Sequence, residues 1–366
     1  MMKTWALRAR AVRATWSGLS RTFGTSAPCD EALKIAYFGS DKFSIKSLQA
    51  VLQLQKEDPS AIESVTVVTK PPKRAGRGLK ELKDVPITDF AVENGLTVLR
   101  ADNKTEINAL PNDFSLVVAV SYGGLIPQQF LANTKYGGLN VHPSFLPQYH
   151  GPAPIHHALL NGDKTTGVTV QTLHPTKFDR GRVVAISEKV PITRDSTFES
   201  LRDTLADTGA ELLYSTIKDR NFTDSSYEVK SGCPDVYAGH VTSKMRAIDW
   251  SVDTADKLER YCNTLGSLYT HKLFEERKQV KAEFQEKLLR VLLSELKKVD
   301  GIEAFGAPGT HKLVDRTVLI NTVDGVVSCP TLQVEFQAVE DADKFEKRCV
   351  GSKKKRAKSE EFQNGE

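Results

Sequence analysis

Four short apolar runs, Leu33 to Phe38, Ile62 to Thr69, Leu96 to Leu99 and Leu116 to Val120, set the frame of the first half of the chain. After the first run, Gly39-Ser40-Asp41 gives way to apolar residues at Phe43, Ile45, Leu48, Val51 and Leu52, the spacing of a helix laid against a sheet. Strand and helix signals that alternate in this way predict a Rossmann-like α/β fold, a doubly wound, mostly parallel sheet, because parallel neighbours need crossover connections that helices supply. Gly39 is followed by Ser40, Asp41 and Lys42, so the Gly-x-Gly-x-x-Gly spacing of a nicotinamide-dinucleotide site is absent.

A length of 366 residues exceeds one typical domain and predicts two. With 40% hydrophobic and 26% charged residues, and no apolar run long enough to cross a bilayer, the chain reads as a soluble globular protein with no membrane partner, and a monomer is expected without the composition requiring it. A net charge of +4 permits a nucleic-acid partner without requiring one. Cys29, Cys233, Cys262, Cys329 and Cys349 form no Cys-x-x-Cys pair, which argues for free thiols and against both a zinc site and a disulfide framework.

Residues 1–29 carry Lys3, Arg8, Arg10, Arg13 and Arg21, several Ser and Thr, and no acid, and arginines interrupt what would otherwise be an apolar core. This is the pattern of a mitochondrial transit peptide rather than a secretory signal, and it predicts the mitochondrial matrix; a plain basic tail is the alternative. Residues 30–218 are expected to form the first domain. Its last helix would open with Ser196 and Glu199 as a capping box. Residues 219–242, rich in Ser, Asp, Gly and Pro, read as a linker. Residues 243–345 read as a smaller domain with strands Leu313 to Asn321, Gly325 to Ser328 and Leu332 to Gln337. Within it, Glu275 to Val299 is rich in Lys, Glu and Leu and predicts a long helix or a strand–helix mixture. Residues 346–366, with Lys353 to Arg356, read as a basic, disordered tail.

The chemistry concentrates between Gly138 and Gly151. If Gly138 to His142 is a strand, its period of two puts Asn140 and His142 on one face and Leu139 and Val141 on the other. An amide donor beside an imidazole suits a reaction in which a carbonyl oxygen gains charge while a proton moves between nitrogens, as in acyl or formyl transfer. Pro143 and Pro147 then predict a stiff loop, Ser144-Phe145-Leu146-Pro147, with backbone groups free to hold a flat ligand. Asp179 follows His142 by 37 residues, in a turn between the alternating runs Val168 to His174 and Val183 to Val190, and can complete a trio.

Other assignments of these residues are weaker. A Ser-His-Asp hydrolase would use Ser144, which lacks the Gly-x-Ser-x-Gly elbow and lies only two residues from its base. His150, His156 and His157 have no acidic or thiol ligand at metal spacing.

The pattern Asn140-Val-His142-x-Ser144-x-Leu146-Pro147, followed by Gly151-x-x-Pro-Ile, Gly167-Val-Thr-Val and Asp179-x-Gly181, resembles the folate-dependent formyltransferases, closest to those acting on methionyl-tRNA. The resemblance extends through Tyr37 to Phe43, Ala75 to Gly78, Val118 to Gly123 and Ile248 to Ser251, and covers most of Leu33 to about Phe336. It implies the formyltransferase fold followed by an OB-like β-barrel. It also implies 10-formyltetrahydrofolate as donor, no metal, and initiator methionyl-tRNA as acceptor. Asn140, His142 and Asp179 would be the catalytic trio. Folate would meet Tyr122, at the end of the strand before it, and the loop Ser144, Phe145, Leu146 and Pro147. The run Lys70 to Lys80 holds five cations and no acid; Lys70, Lys73, Arg74, Arg77 and Lys80 would contact tRNA, although such a loop is in general often only a solvated surface. Formyl transfer to a small amine, hydrolysis of the formyl-folate, and a non-catalytic RNA-binding module are the competing readings. The chain departs from the family pattern at Pro143 and at His150, where Gly and Arg are common.

Overall fold

A computed structural model of the chain describes residues 31–76, 78, 80–277, 284–351, 355–357 and 361–364. The stretch read as a transit peptide lies outside the described residues, as do Arg77, Lys353 and Lys354.

Seven strands build the main sheet: β1 (Leu33–Gly39), β2 (Ile62–Thr69), β3 (Thr97–Arg100), β4 (Leu116–Val120), β5 (Gly138–His142), β6 (Thr169–Thr172) and β7 (Val183–Ile186). Their spatial order is 7-6-5-4-1-2-3. The five from β3 to β5 pair in parallel, and β6 and β7 add antiparallel at one edge. Between β1 and β4 the winding reverses, and the crevice at the carboxyl ends of such strands is where open α/β sheets bind ligands. Helix α1 (Lys42–Glu57) starts there, with Asp41 as its cap: the Ser44 backbone N–H donates to the Asp41 carboxylate at 2.9 Å. It buries Phe43, Leu48, Val51 and Leu54 against the sheet, in one core with Ile35, Tyr37, Val67 and Val118.

Helix α2 (Pro154–Asn161) opens on proline, whose missing N–H costs nothing in a first turn. Helix α3 (Phe198–Asp219) begins one residue later than the Ser196–Glu199 box would place it. Ser196 Oγ accepts instead from the Thr193 N–H at 2.9 Å, which leaves Thr197 to cap and Ser200 to complete the box.

The segment expected to be a bare linker is strapped to the sheet domain. Phe222 enters its core. Val236–Tyr237 pairs in parallel with Gln148–His150, and Ala238 is fully buried, its N–H donating to the His150 carbonyl at 2.8 Å.

Beyond it, helix α4 (Ala255–Leu265) packs among antiparallel strands that form a five-stranded and a four-stranded sheet among the described residues. The helix expected within Glu275 to Val299 is instead part of a hairpin: β8 (Leu268–Arg277) pairs along its whole length with β9 (Phe284–Ser294). Leu289, Val291 and Leu293 are buried while Leu288 and Arg290 are exposed, so a period of two overrides the helix-favouring composition. The strand expected over Leu313 to Asn321 is two, His311–Val314 and Thr317–Asn321. They turn at Asp315 and Arg316, both at positive φ as a tight hairpin requires.

Described residues of the expected basic tail pack on the second half. Phe362 is buried against Trp250, His311 and Phe345, and Gln363 exchanges backbone bonds with His271.

The two halves meet at Arg194, which forks onto the buried carboxylate of Glu259 at 2.6 and 2.9 Å, and at Arg260, which donates to the Leu160 carbonyl at 3.1 Å.

Candidate functional site

A cavity of about 810 Å³ opens at the carboxyl ends of β1, β4 and β5, within the usual size range of small-molecule sites. Asn140, His142 and Asp179 all line it. The first two arrive from β5 because Leu139 and Val141 fill the core behind them.

His142 is buried, and its ring is pinned from both sides. Nε2 lies 2.9 Å from the Tyr149 carbonyl, which can only accept, so Nε2 carries a hydrogen. Nδ1 lies 3.5 Å from Asp179 Oδ1. Tyr149 holds its carbonyl there from a left-handed backbone (φ 57), with its hydroxyl anchored on Asp163 and Asn161.

Asp179 also sits in the left-handed region (φ 51), a local cost that its surroundings fix in place. Its Oδ2 accepts from the Gly151 N–H at 2.8 Å, and its Oδ1 from Gln171 at 3.2 Å and more weakly from Asn140 at 3.5 Å. Gln171 in turn accepts from the Gly181 N–H at 3.0 Å. Gly181 has to be glycine: a Cβ there would fall 1.6 Å from the Thr172 carbonyl oxygen. The Asp-x-Gly spacing thus serves to fold the turn back on β6 so that the carboxylate faces the imidazole.

Part of the cavity is walled by Ala119, Leu125, Ile126 and Leu173, with the turn Ser121–Gly124 beside them. Ser121 (φ 51) and Gly123 (φ 69) turn the backbone out of the ladder here, beside this apolar part of the lining. Tyr122 contributes to it with its ring only. Its hydroxyl donates to the Ala101 carbonyl at 2.6 Å, and burial, with Asp102 and Glu106 nearby, pushes its pKa to about 12.

The loop Ser144–Pro147 does not reach the cavity, whose lining stops at Pro143. Its polar groups are bonded inward: the Ser144 hydroxyl to the Gln148 carbonyl, the Leu146 N–H to Thr169 Oγ1, and the Ser144 and Leu146 carbonyls to the Thr169 and Ser231 hydroxyls. The loop's polar groups are thus satisfied within the fold and not by a ligand.

Lys70 also departs from expectation. Its ammonium donates to the Gly123 carbonyl at 3.1 Å, pairs with Asp102 at 3.3 Å and lies over the Tyr122 ring, so it buttresses the turn Ser121–Gly124. Lys73, Arg74 and Lys80 are exposed on or beside the two-stranded ribbon Lys73–Ala75/Glu81–Lys83, with Lys73 reaching Asp102 at 3.5 Å.

Another part of the lining is aromatic and cationic. Arg180 forks onto Asp235 at 2.6 and 3.2 Å and lies 2.9 Å from His150 Nε2. These contacts hold the Asp235 carboxyl below the usual range and the guanidinium above its own. His156 stacks on Phe198 at 4.1 Å, and burial, with His157 beside it, lowers its pKa. Gln171, Tyr149, Arg180 and Tyr237 were not singled out from the sequence, because only the folded chain shows what each of them meets. No group of three or more His, Cys, Asp or Glu able to hold a metal occurs among the described residues.

Residues 33–217 match the family model described as Formyl transferase. The chain is 34% identical to a mitochondrial methionyl-tRNA formyltransferase of Saccharomyces cerevisiae, over 88% of this chain and 92% of the relative. To the mitochondrial methionyl-tRNA formyltransferase of Homo sapiens it is 28% identical, over 64% of this chain and 57% of that one. Among solved structures, an N-formyltransferase of Helicobacter canadensis in complex with folinic acid and dTDP-3-aminofucose shares the fold. Its TM-score is 0.54 at 15% identity, over 81% of this chain and 98% of that one. With a family match across the whole main sheet and a relative this similar along almost its full length, the chain belongs to the formyl transferase family.

Proposed function

We propose that this formyl transferase moves the formyl group of 10-formyltetrahydrofolate to the amino group of methionine on initiator tRNA, for the start of protein synthesis in the mitochondrial matrix. The observation that carries the chemistry is the convergence of an amide, an imidazole and a carboxylate on one cavity wall, within 3.5 Å of one another through Asp179 Oδ1. The acceptor and compartment rest on the mitochondrial methionyl-tRNA formyltransferases of yeast and human, supported by the basic, acid-free residues 1–29.

In this reading the apolar lining beside Tyr122 takes the pteridine of the donor, which leaves its formyl carbon facing Asn140 and His142. Attack by the methionyl amine puts negative charge on the formyl oxygen. The Asn140 amide and the imidazolium of His142 stabilise that charge. The incoming amine loses a proton and the departing N10 of the folate gains one. His142 Nδ1, the nitrogen not committed to a carbonyl, takes the amine's proton to become that imidazolium, balanced by Asp179, and gives it to N10 as the bond from the formyl carbon to N10 breaks. No covalent enzyme intermediate is needed, in keeping with a Ser144 hydroxyl spent on an internal bond.

The second half, with its two antiparallel sheets, is proposed to close as an OB-like barrel that binds tRNA, and the basic ribbon Lys73, Arg74, Arg77 and Lys80 to meet phosphates of the acceptor stem. The test is to incubate the protein with methionyl-tRNA and 10-formyltetrahydrofolate and weigh the aminoacyl product. Formylmethionyl-tRNA formed by wild type and lost in His142→Ala and Asp179→Asn is the expected result. Equal single-turnover rates for all three would remove the catalytic reading and leave an RNA-binding module.

A further inference from the structure

Tyr237 lies in the segment that joins the two halves, yet it lines the cavity and leaves 61% of its surface exposed. Its ring is held in place. His150 packs beside it at a centroid distance of 5.2 Å, and Gly151 passes so close that a Cβ there would sit 2.7 Å from the ring. The backbone on both sides is tied down, by pairing with Gln148–His150 and by the fork from Arg180 to Asp235 two residues earlier. A large aromatic ring that is packed on one side, anchored through its backbone and open on the other is a rigid stacking surface, at the mouth of the cavity that holds the Asn140–His142–Asp179 wall.

We infer that Tyr237 is the platform on which the terminal nucleobase of the acceptor tRNA stacks. This rests on the reading of methionyl-tRNA as acceptor. The amino group to be formylated is joined to the terminal adenosine through one ester, so when the amine sits at Asn140 and His142 the base has to lie within the same cavity mouth. The apolar lining suited to the folate comes mostly from the turn after β4, whereas Tyr237, His150 and Arg180 come from the joining segment and the turns after β5 and β6, which leaves these for the nucleotide. Aromatic stacking needs no base-edge contacts and contributes about 1–3 kcal/mol per base. It therefore fits the invariant end of a charged tRNA, whose identity the enzyme has no need to read there.

The experiment measures steady-state KM for methionyl-tRNA and for 10-formyltetrahydrofolate in wild type, Tyr237→Ala and Tyr237→Trp. It is repeated with methionyl-tRNA whose terminal nucleotide lacks its base. Tyr237→Ala is expected to raise KM for methionyl-tRNA about 5- to 150-fold, the equivalent of one stacked base. KM for the donor and the melting temperature should stay as in wild type, and Tyr237→Trp should retain tight binding. On the abasic substrate, wild type should fall to the level of Tyr237→Ala, and the variant should lose nothing more. An unchanged KM for methionyl-tRNA in Tyr237→Ala, or a rise confined to the donor, overturns the inference while leaving the proposed function standing. A wild type that formylates no charged tRNA removes both.

Discussion

His142 Nδ1 stands 3.5 Å from Asp179 Oδ1 while its Nε2 donates to the Tyr149 carbonyl at 2.9 Å, so one ring nitrogen is committed to the backbone and the other is left to exchange a proton beside a carboxylate. A positioned acid–base group is worth about 10²–10⁴ in rate. His142→Ala is therefore expected to lower kcat by that factor with KM changed only a few-fold. Asp179→Asn should lower it comparably, and the double variant should be little worse than the poorer single one. Full additivity of the two losses in single-turnover rates would show that the residues act separately.

Gln171 touches no substrate in this scheme but ties Asp179 to Gly181. Gln171→Leu removes two hydrogen bonds, one of them to the Asp179 carboxylate, together about 2–4 kcal/mol, and should lower kcat about five-fold or more and shift its pH profile, with tRNA affinity unchanged. A melting-temperature loss with an unshifted pH profile would mark it as purely structural.

Gly181→Ala should be far worse than its chemistry suggests, since the new methyl would collide with the Thr172 carbonyl. Overpacking of this kind costs about 1–3 kcal/mol and displaces backbone. Denaturant midpoint and activity are expected to fall together, with activity falling further because Asp179 moves with the turn.

Lys70 and Lys73 share Asp102 yet should report different functions. Lys70→Ala removes the prop under Gly123, and KM for the folate donor should rise several-fold with the salt dependence of tRNA binding unaltered. Lys73→Ala should leave the donor untouched and flatten the slope of log affinity against log salt by about one unit. A flattened slope in Lys70→Ala would return that residue to the tRNA surface.

Among the described residues, Arg194→Ala leaves the buried Glu259 with Lys297 as its charged partner, at 3.4 Å. A loss of about 1–3 kcal/mol is expected, read as a lower melting temperature that Arg194→Lys partly restores. Parallel loss of methionyl-tRNA turnover would show that the contact also sets how the two halves engage the acceptor.

The sequence by itself determined the α/β class and the strands around the site, because each is a local signal, whereas the approach of Asp179 to His142 is tertiary. Apolar runs mark β1, β2 and β4, and the period of two along Gly138 to His142 already puts Asn140 and His142 on one face. Tertiary structure decided the rest, since it depends on what each residue meets across space. Lys70 has the composition of a phosphate contact, but Gly123 and Asp102 capture it. The groups of Ser144 and Leu146 look free in sequence, but Thr169 and Ser231 satisfy them first. Helix-favouring residues after Glu275 become strand because β8 and β9 have each other to pair with, and Tyr237 reaches the cavity only because β-pairing to Gln148–His150 brings it there. A buried donor or acceptor takes the partner that the fold supplies, and sequence proximity does not reveal that partner.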